Sequence, residues 1–205
     1  MMQSDSEAEE RQRTILGAPI RIAPMEQDEL GPEVRDQVAR IGASLGYQAP
    51  EVLTTHFAVM ARHPAMFRCQ LETGIMFFTE CTLPPREREL AVLRTAWHAG
   101  APYEWGEHVD IARKLGMTPE DTDRVRAGPQ APGWSEHEAA LLTAVDELFA
   151  DKMISDATWA KLAETWNDAQ LIELPCLVGQ YLGVAMLQNS LRMPLARESK
   201  GFAER

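Results

Sequence analysis

The sequence predicts an all-α fold, and three observations carry that expectation. Apolar residues recur at helical spacing through most of the chain. Prolines and capping residues punctuate those runs where helices would start and stop. No stretch offers the sustained alternation of a half-buried strand. About eight to nine helices are expected, preceded by an N-terminal arm.

Residues 1–30 read as that arm, partly flexible. Residues 1–14 are polar and charged, and 15–30 carry scattered apolar residues with Pro19 and Pro24. Residues 31–194 read as a single helical domain. Its first helix opens at Gly31-Pro32, shows Val34, Val38 and Ile41 at helical spacing, and closes by Gly46 and Pro50. A second runs from Glu51 to Arg62 and breaks at His63-Pro64. The third extends from Pro64 to about Glu80, the fourth from Pro84-Pro85 to His98 or Ala99, and the fifth from Pro102 to Gly116. Thr118-Pro119-Glu120-Asp121 starts a short sixth helix that stops at Gly128, with an N-cap, a first-position proline and acids in the first turn. Ser135 with Glu138 forms a capping box for a helix to about Asp151, and Ser155 opens another to Trp166. Asn167 or Asp168 caps the last helix, which runs to about Leu191, is apolar nearly all round, and reads as a central helix or a subunit contact. Residues 195–205 read as a charged, loose tail.

The chain carries 20 Lys and Arg against 31 Asp and Glu, a net charge of −11, which excludes a general nucleic-acid binder and an affinity for anionic membrane surfaces. A small anionic substrate stays compatible, because a local arginine or a helix N-terminus can receive one. Three widely spaced cysteines, Cys69, Cys81 and Cys176, form no C-x-x-C. With no signal-like start and no long uninterrupted apolar run, a cytoplasmic protein with reduced thiols and no membrane span is expected.

The chemistry concentrates between Leu83 and Gly116. Glu89, Glu104 and His108 fall where the flanking pattern is apolar, and buried ionisable groups are costly unless paired. Glu104 and His108 are four apart, hence one turn apart on the same helix face. His108 has the pKa suited to proton transfer near neutrality. Pro102 places Glu104 in a first turn, where the dipole favours negative charge and free N–H groups, Tyr103 among them, can hold a carboxylate or enolate oxygen. If the fourth and fifth helices form a hairpin, Glu89 reaches that first turn. No metal is expected, since the Glu104–His108 spacing is one residue wider than E-x-x-H. Catalysis and a structural Glu–His pair both fit this spacing. His98 and Trp105 are further candidates for the pocket wall, His98 also suiting a helix C-terminus and Trp105 the core. His56 and His63 read as surface or capping residues, and His137 as solvated.

The run P-R-x-R-E-L-x-x-L-R-T-A, a glycine break, Y-E-W-x-x-H-V and A-R-x-x-G-M-T-P-E-D closely resembles the carboxymuconolactone decarboxylase family, of the AhpD-like superfamily. The match is specific over 83–128 and looser through 171–189. In the peroxidase branch of that superfamily a Glu precedes a C-x-x-C, and a His follows the second Cys by four residues. Laid on this chain these positions are Glu89, Ala101, Glu104 and His108, so the redox pair is absent. The resemblance implies an AhpD-like helical domain, a homo-oligomer (trimer or hexamer), and a decarboxylase that works without cofactor on a small carboxylated lactone or cyclic acid of aromatic catabolism. His108 would donate the proton, Glu89 or Glu104 would orient or recharge it, and Arg86 or Arg88 would meet the anionic groups. Two alternatives stand beside it: a non-catalytic oligomeric ligand-binding homologue, and an atypical thiol peroxidase using Cys69 or Cys81.

Overall fold

The computed structural model describes residues 4–44, 53–196 and 198–205. Among these, ten α-helices and two short 3₁₀ turns appear and no strand, in agreement with the all-α expectation. The helices are α1 Asp5–Leu16, α2 Pro32–Ser44, α3 Thr55–Met60, α4 Pro64–Thr79, α5 Pro85–His98, α6 Pro102–Lys114, α7 Pro119–Ala127, α8 Glu136–Asp151, α9 Asp156–Ala163 and α10 Asp168–Leu191. The chain divides into two units, one of residues 19–81 and one combining residues 1–18 with 82–205.

In the smaller unit, α2 packs on α4, and α3 on α4. Thr54 caps α3, and the His63 imidazole caps α4 by accepting from the Met66 N–H, followed by Pro64 in the first turn. His56 is a buried residue rather than a surface one, its Nε2 2.7 Å from Gln70 Oε1. The expected first-helix stop at Gly46 and Pro50, and the expected second-helix start at Glu51, lie outside the described residues.

The larger unit is built on α5, which packs against α6, α7, α8 and α10. Its residues Leu90 to Leu93 are wholly inaccessible, which explains the scarcity of polar positions there. The start signals read from the sequence are all used: Thr118, Ser135 and Asn167 each form a capping box, with Asp121, Glu138 and Gln170 returning the bond. The α5–α6 junction is a Schellman turn. Gly100 adopts φ +58°, its N–H bonds the Trp97 carbonyl, and Ala101 N–H bonds the Ala96 carbonyl. Pro102 then starts α6 at once, and this sharp return brings Glu104 back towards α5.

Two segments differ from the sequence reading. The polar segment expected to form a flexible arm carries α1, capped by Ser4 and seated on Ala8 and Ile15, both buried. The expected loose tail carries a 3₁₀ turn, Gly201–Ala203, whose Phe202 is buried with its ring centroid 5.5 Å from Trp97 and 6.2 Å from Trp105. The two segments hold each other: Phe202 N–H donates to Gln12 Oε1 and Gln12 Nε2 donates to the Lys200 carbonyl. Apolar burial explains both departures, because two small hydrophobic anchors and one phenyl ring find partners that no local pattern reveals.

Helix α10 is long and apolar enough to cross a membrane by composition. In this structure Leu171, Leu174, Leu177, Tyr181 and Ala185 face the interior, while Ile172, Cys176, Gly179, Gly183 and Met186 are exposed.

Candidate functional site

Glu89 from α5 and Glu104 and His108 from α6 meet in one buried cluster. Glu89 is inaccessible, and Glu104 and His108 are each 5% exposed. His108 bridges the two carboxylates: Nδ1 lies 2.6 Å from Glu89 Oε2, and Nε2 lies 3.2 Å from Glu104 Oε1. The i,i+4 spacing puts Glu104 over His108, and the Schellman turn supplies Glu89 from the facing helix. Arg88 donates from Nε to Glu89 Oε1 at 3.1 Å, setting a cation beside the deepest carboxylate.

Helix α10 closes the cluster from another side. The Tyr181 ring stands edge-on to the His108 ring at 4.9 Å and 89°. Gln188, 2% exposed, donates from Nε2 to Glu104 Oε2 at 2.6 Å. Its Oε1 is buried with no hydrogen-bond partner among the described residues.

Burial works against a charged imidazole here. The Glu89 charge and the hydrogen bonds to Glu104 and Glu89 outweigh it and push the His108 pKa up to about 10. His108 is therefore an imidazolium at neutral pH, with a proton on each ring nitrogen. Glu107, on the same helix, has its carboxyl pKa raised by burial and by the nearby Glu104 charge.

The remaining sequence candidates separate into those that join this cluster and those that do not. Arg88 joins it through Glu89. Tyr103 is buried in the first turn of α6, next to Glu104 in sequence. Arg86 is committed elsewhere: it forks onto Asp121 at 3.0 and 3.1 Å and reaches Glu138 at 2.9 Å. That guanidinium ties the starts of α7 and α8 to α5 and makes no bond to the Glu89–Glu104–His108 cluster. His98 belongs to a separate network, its Nε2 2.6 Å from Asp146 Oδ1. Arg94 binds the same carboxylate through Nε at 2.7 Å and Nη2 at 2.8 Å, and also donates to the Val125 and Arg126 carbonyls. Burial lowers the His98 pKa despite Asp146. Trp105 is core: it is inaccessible, packs on Trp97 and Phe202, and donates from its indole to the Glu204 carbonyl. His137, expected to be solvated, is half-buried and lies 2.8 Å from Thr165 Oγ1.

Sequence reasoning missed Gln188. The available signal was a long polar amide inside an otherwise apolar helix, a position that requires a buried partner. It also missed the Arg94–Asp146–His98 network, whose members lie 48 to 52 residues apart between α5 and α8.

Residues 65–147 match the carboxymuconolactone decarboxylase family. No curated protein sequence matches the chain. Among solved structures, the chain is similar to an uncharacterised peroxidase-related protein with an alkylhydroperoxidase AhpD core from Ralstonia eutropha JMP134. The TM-score is 0.71 at 18% identity, over 88% of this chain and 94% of that one. An uncharacterised peroxidase-related protein from Silicibacter sp. TM1040 gives 0.69 at 14% identity, over 88% and 94%. The debrominase Bmp8 gives 0.68 at 11% identity, over 85% and 91%. At these identities the likeness concerns the fold, which is AhpD-like.

Proposed function

We propose, for a chain whose residues 65–147 match the carboxymuconolactone decarboxylase family and whose fold is AhpD-like, a cofactor-independent carbon–carbon lyase activity on a small carboxylated lactone or cyclic acid. The observation that carries this reading is the unequal bridging of His108. Its bond to Glu89 is short, at 2.6 Å, and its contact with Glu104 is long, at 3.2 Å. Nδ1 is anchored and Nε2 is the nitrogen that can be handed to a substrate.

With a pKa near 10, His108 serves as the acid and not as the base. Decarboxylation of such a lactone sends the C–C bond electrons toward the lactone carbonyl, releases CO₂ and leaves a dienolate. The Nε2 proton of His108 then passes to carbon, and the imidazole regains a proton by way of Glu104. Glu89 holds the ring in place and keeps it cationic between turnovers. The first turn of α6 lacks a side-chain cap at Ala101, so its N–H groups and dipole are the natural receivers of the developing oxyanion. With Arg86 committed to Asp121 and Glu138, Arg88 is the arginine of the cluster.

Following CO₂ release from carboxymuconolactone tests this. Turnover is expected, with His108→Ala lowering it by roughly 10²-fold or more. Absence of turnover, or undiminished turnover by the variant, removes the mechanism. A second reading, a non-catalytic ligand-binding homologue, draws on the closure of the cluster, whose side chains are at most 8% exposed; saturable binding of the lactone without CO₂ release would select it. Reduction of peroxide by a thiol would select the redox alternative, although Ala101 and Glu104 stand where its cysteines belong. We also propose a cytoplasmic homo-oligomer, trimer or hexamer, that uses the exposed side of α10.

A further inference from the structure

We propose that the cavity between α1 and the C-terminal 3₁₀ turn is a binding site for a small organic carboxylate, received by Arg126 and Arg205 in place of the Asp5 side chain. The site shares no residue with the Glu89–Glu104–His108 cluster, and it stands whether or not the lyase reading does.

The Arg126 side chain is only 7% exposed, and its guanidinium lies over the Trp97 ring, 4.5 Å from the centroid. A cation so deeply placed needs acceptors for its whole fork, and it has few. Nη2 meets Asp5 Oδ1 at 2.5 Å, while Nη1 stands 3.8 Å from Asp123 Oδ1, too far for a hydrogen bond. Nε is buried with no hydrogen-bond partner among the described residues, and so is Nε1 of the Trp97 indole. Buried donors without an acceptor are costly, and each of these two calls for an oxygen lone pair. Burial and the neighbouring Arg205 charge lower the Arg126 pKa against the pull of Asp5, Asp123 and Glu9, so this guanidinium gains from added negative charge.

Arg126 lines a cavity of about 330 Å³ together with Arg205, Arg13 and Asp5, and Ala8 and Phe202 supply apolar wall. That volume is at the small end of the range for small-molecule sites. Asp5 displays the binding mode. Its carboxylate spans the two arginines, Oδ1 on Arg126 and Oδ2 3.9 Å from Arg205 Nη2, yet its side chain is 66% exposed. An ion pair so open to water contributes little, so a free carboxylate that also buries an apolar body can displace it. Charge selects a carboxylate over a phosphate dianion: Glu9 is in the lining and Asp123 sits on Arg205 Nε, whereas a monoanion replaces Asp5 one for one.

The test is an NMR titration of the ¹⁵N-labelled full chain with sodium benzoate, against sodium chloride and inorganic phosphate at equal ionic strength. Benzoate is expected to shift the Arg126 Nε–H signal downfield in a saturable way and to move the Trp97 indole N–H with it. Asp5→Asn removes the internal competitor and keeps the side-chain shape, so benzoate should bind roughly three- to fivefold tighter. Arg126→Met should abolish the saturable response. No saturation in the parent, an equal response to chloride, or tighter binding of phosphate than of benzoate overturns the proposal. Unchanged or weaker binding by Asp5→Asn does so as well. If Arg126→Met does not fold, Arg126→Lys decides: it keeps the charge and loses the fork, and benzoate should bind about tenfold more weakly. Parent-like affinity in that variant refutes the site.

Discussion

Replacing Asp146 by alanine exposes how much of the larger unit depends on one carboxylate. Asp146 receives two bonds from the Arg94 guanidinium and one from His98, and Arg94 is only 7% exposed. Removing the acid leaves a buried guanidinium with only the Val125 and Arg126 carbonyls to satisfy it. Breaking a buried pair from one side costs about 3–5 kcal/mol, and the 27% exposure of the Asp146 side chain puts the expectation at the lower end, about 3 kcal/mol. For a chain of this size that corresponds to a Tm lower by roughly 6–12 °C in scanning calorimetry. Adding Arg94→Met should recover a good part of the loss, because the stranded charge goes with it. The pH dependence has a definite sign. Burial acts to raise the Asp146 pKa, but the bonds from His98 and Arg94 hold it below its ordinary 3.8, so its contribution is present above that value and fades as pH falls through the lower folded pKa. The His98 pKa is lowered from 6.5 by burial, so the unfolded chain binds its proton first and stability falls on acidification below about that pH. A single Asp146→Ala variant within about 1 kcal/mol of the parent would refute this reasoning, as would an Arg94→Met addition that brings no recovery.

Two further outcomes follow. Arg86 first, with the Thr118 N–H and Arg124, holds Asp121 down to about 2 from 3.8, which corresponds to roughly 2 kcal/mol of stability above pH 4, lost as pH falls from 4 toward 2. Arg86→Leu should remove the larger part of that increment at pH 7 and make the acid limb of an unfolding titration shallower; an unchanged limb would show that the Arg86 pair contributes nothing. For the α10 surface, light scattering should report a trimer or hexamer, and Met186→Lys, at a position 59% exposed, should shift it toward monomer without lowering helicity. A monomeric parent protein would dismiss the oligomer.

The central hairpin was legible because its signals are local. A glycine that must take positive φ, a proline at the next first turn and a Glu–His pair one turn apart all lie within twenty residues. The capping boxes at Thr118, Ser135 and Asn167 are local in the same sense. What stayed hidden is non-local. Nothing near Gln188 in sequence announces Glu104, 84 residues earlier. Nothing near Arg86 in sequence announces Asp121 and Glu138, which α7 and α8 bring to it. Helix α1 buries only Ala8 and Ile15, too few positions for its period to stand out from a charged segment.

The clasp between α1 and the 3₁₀ turn gives the larger unit an uncommon chain path. It is built from two pieces of sequence, and the whole of residues 19–81 is strung between them. The Phe202–Gln12 bond closes a loop of 190 residues, whereas the bonds from α10 to Glu104 and Ala99 close loops of 84 and 90. Closing a long loop costs entropy that is recovered only after the receiving surface exists. Loop closure on that scale predicts that helix α1 docks after the surface that receives it. A single protease cut near Gly17 would turn helix α1 from a part of the chain into a bound peptide, held only non-covalently by the Gln12 bonds, by Asp5 on Arg126 and by the burial of Ala8 and Ile15.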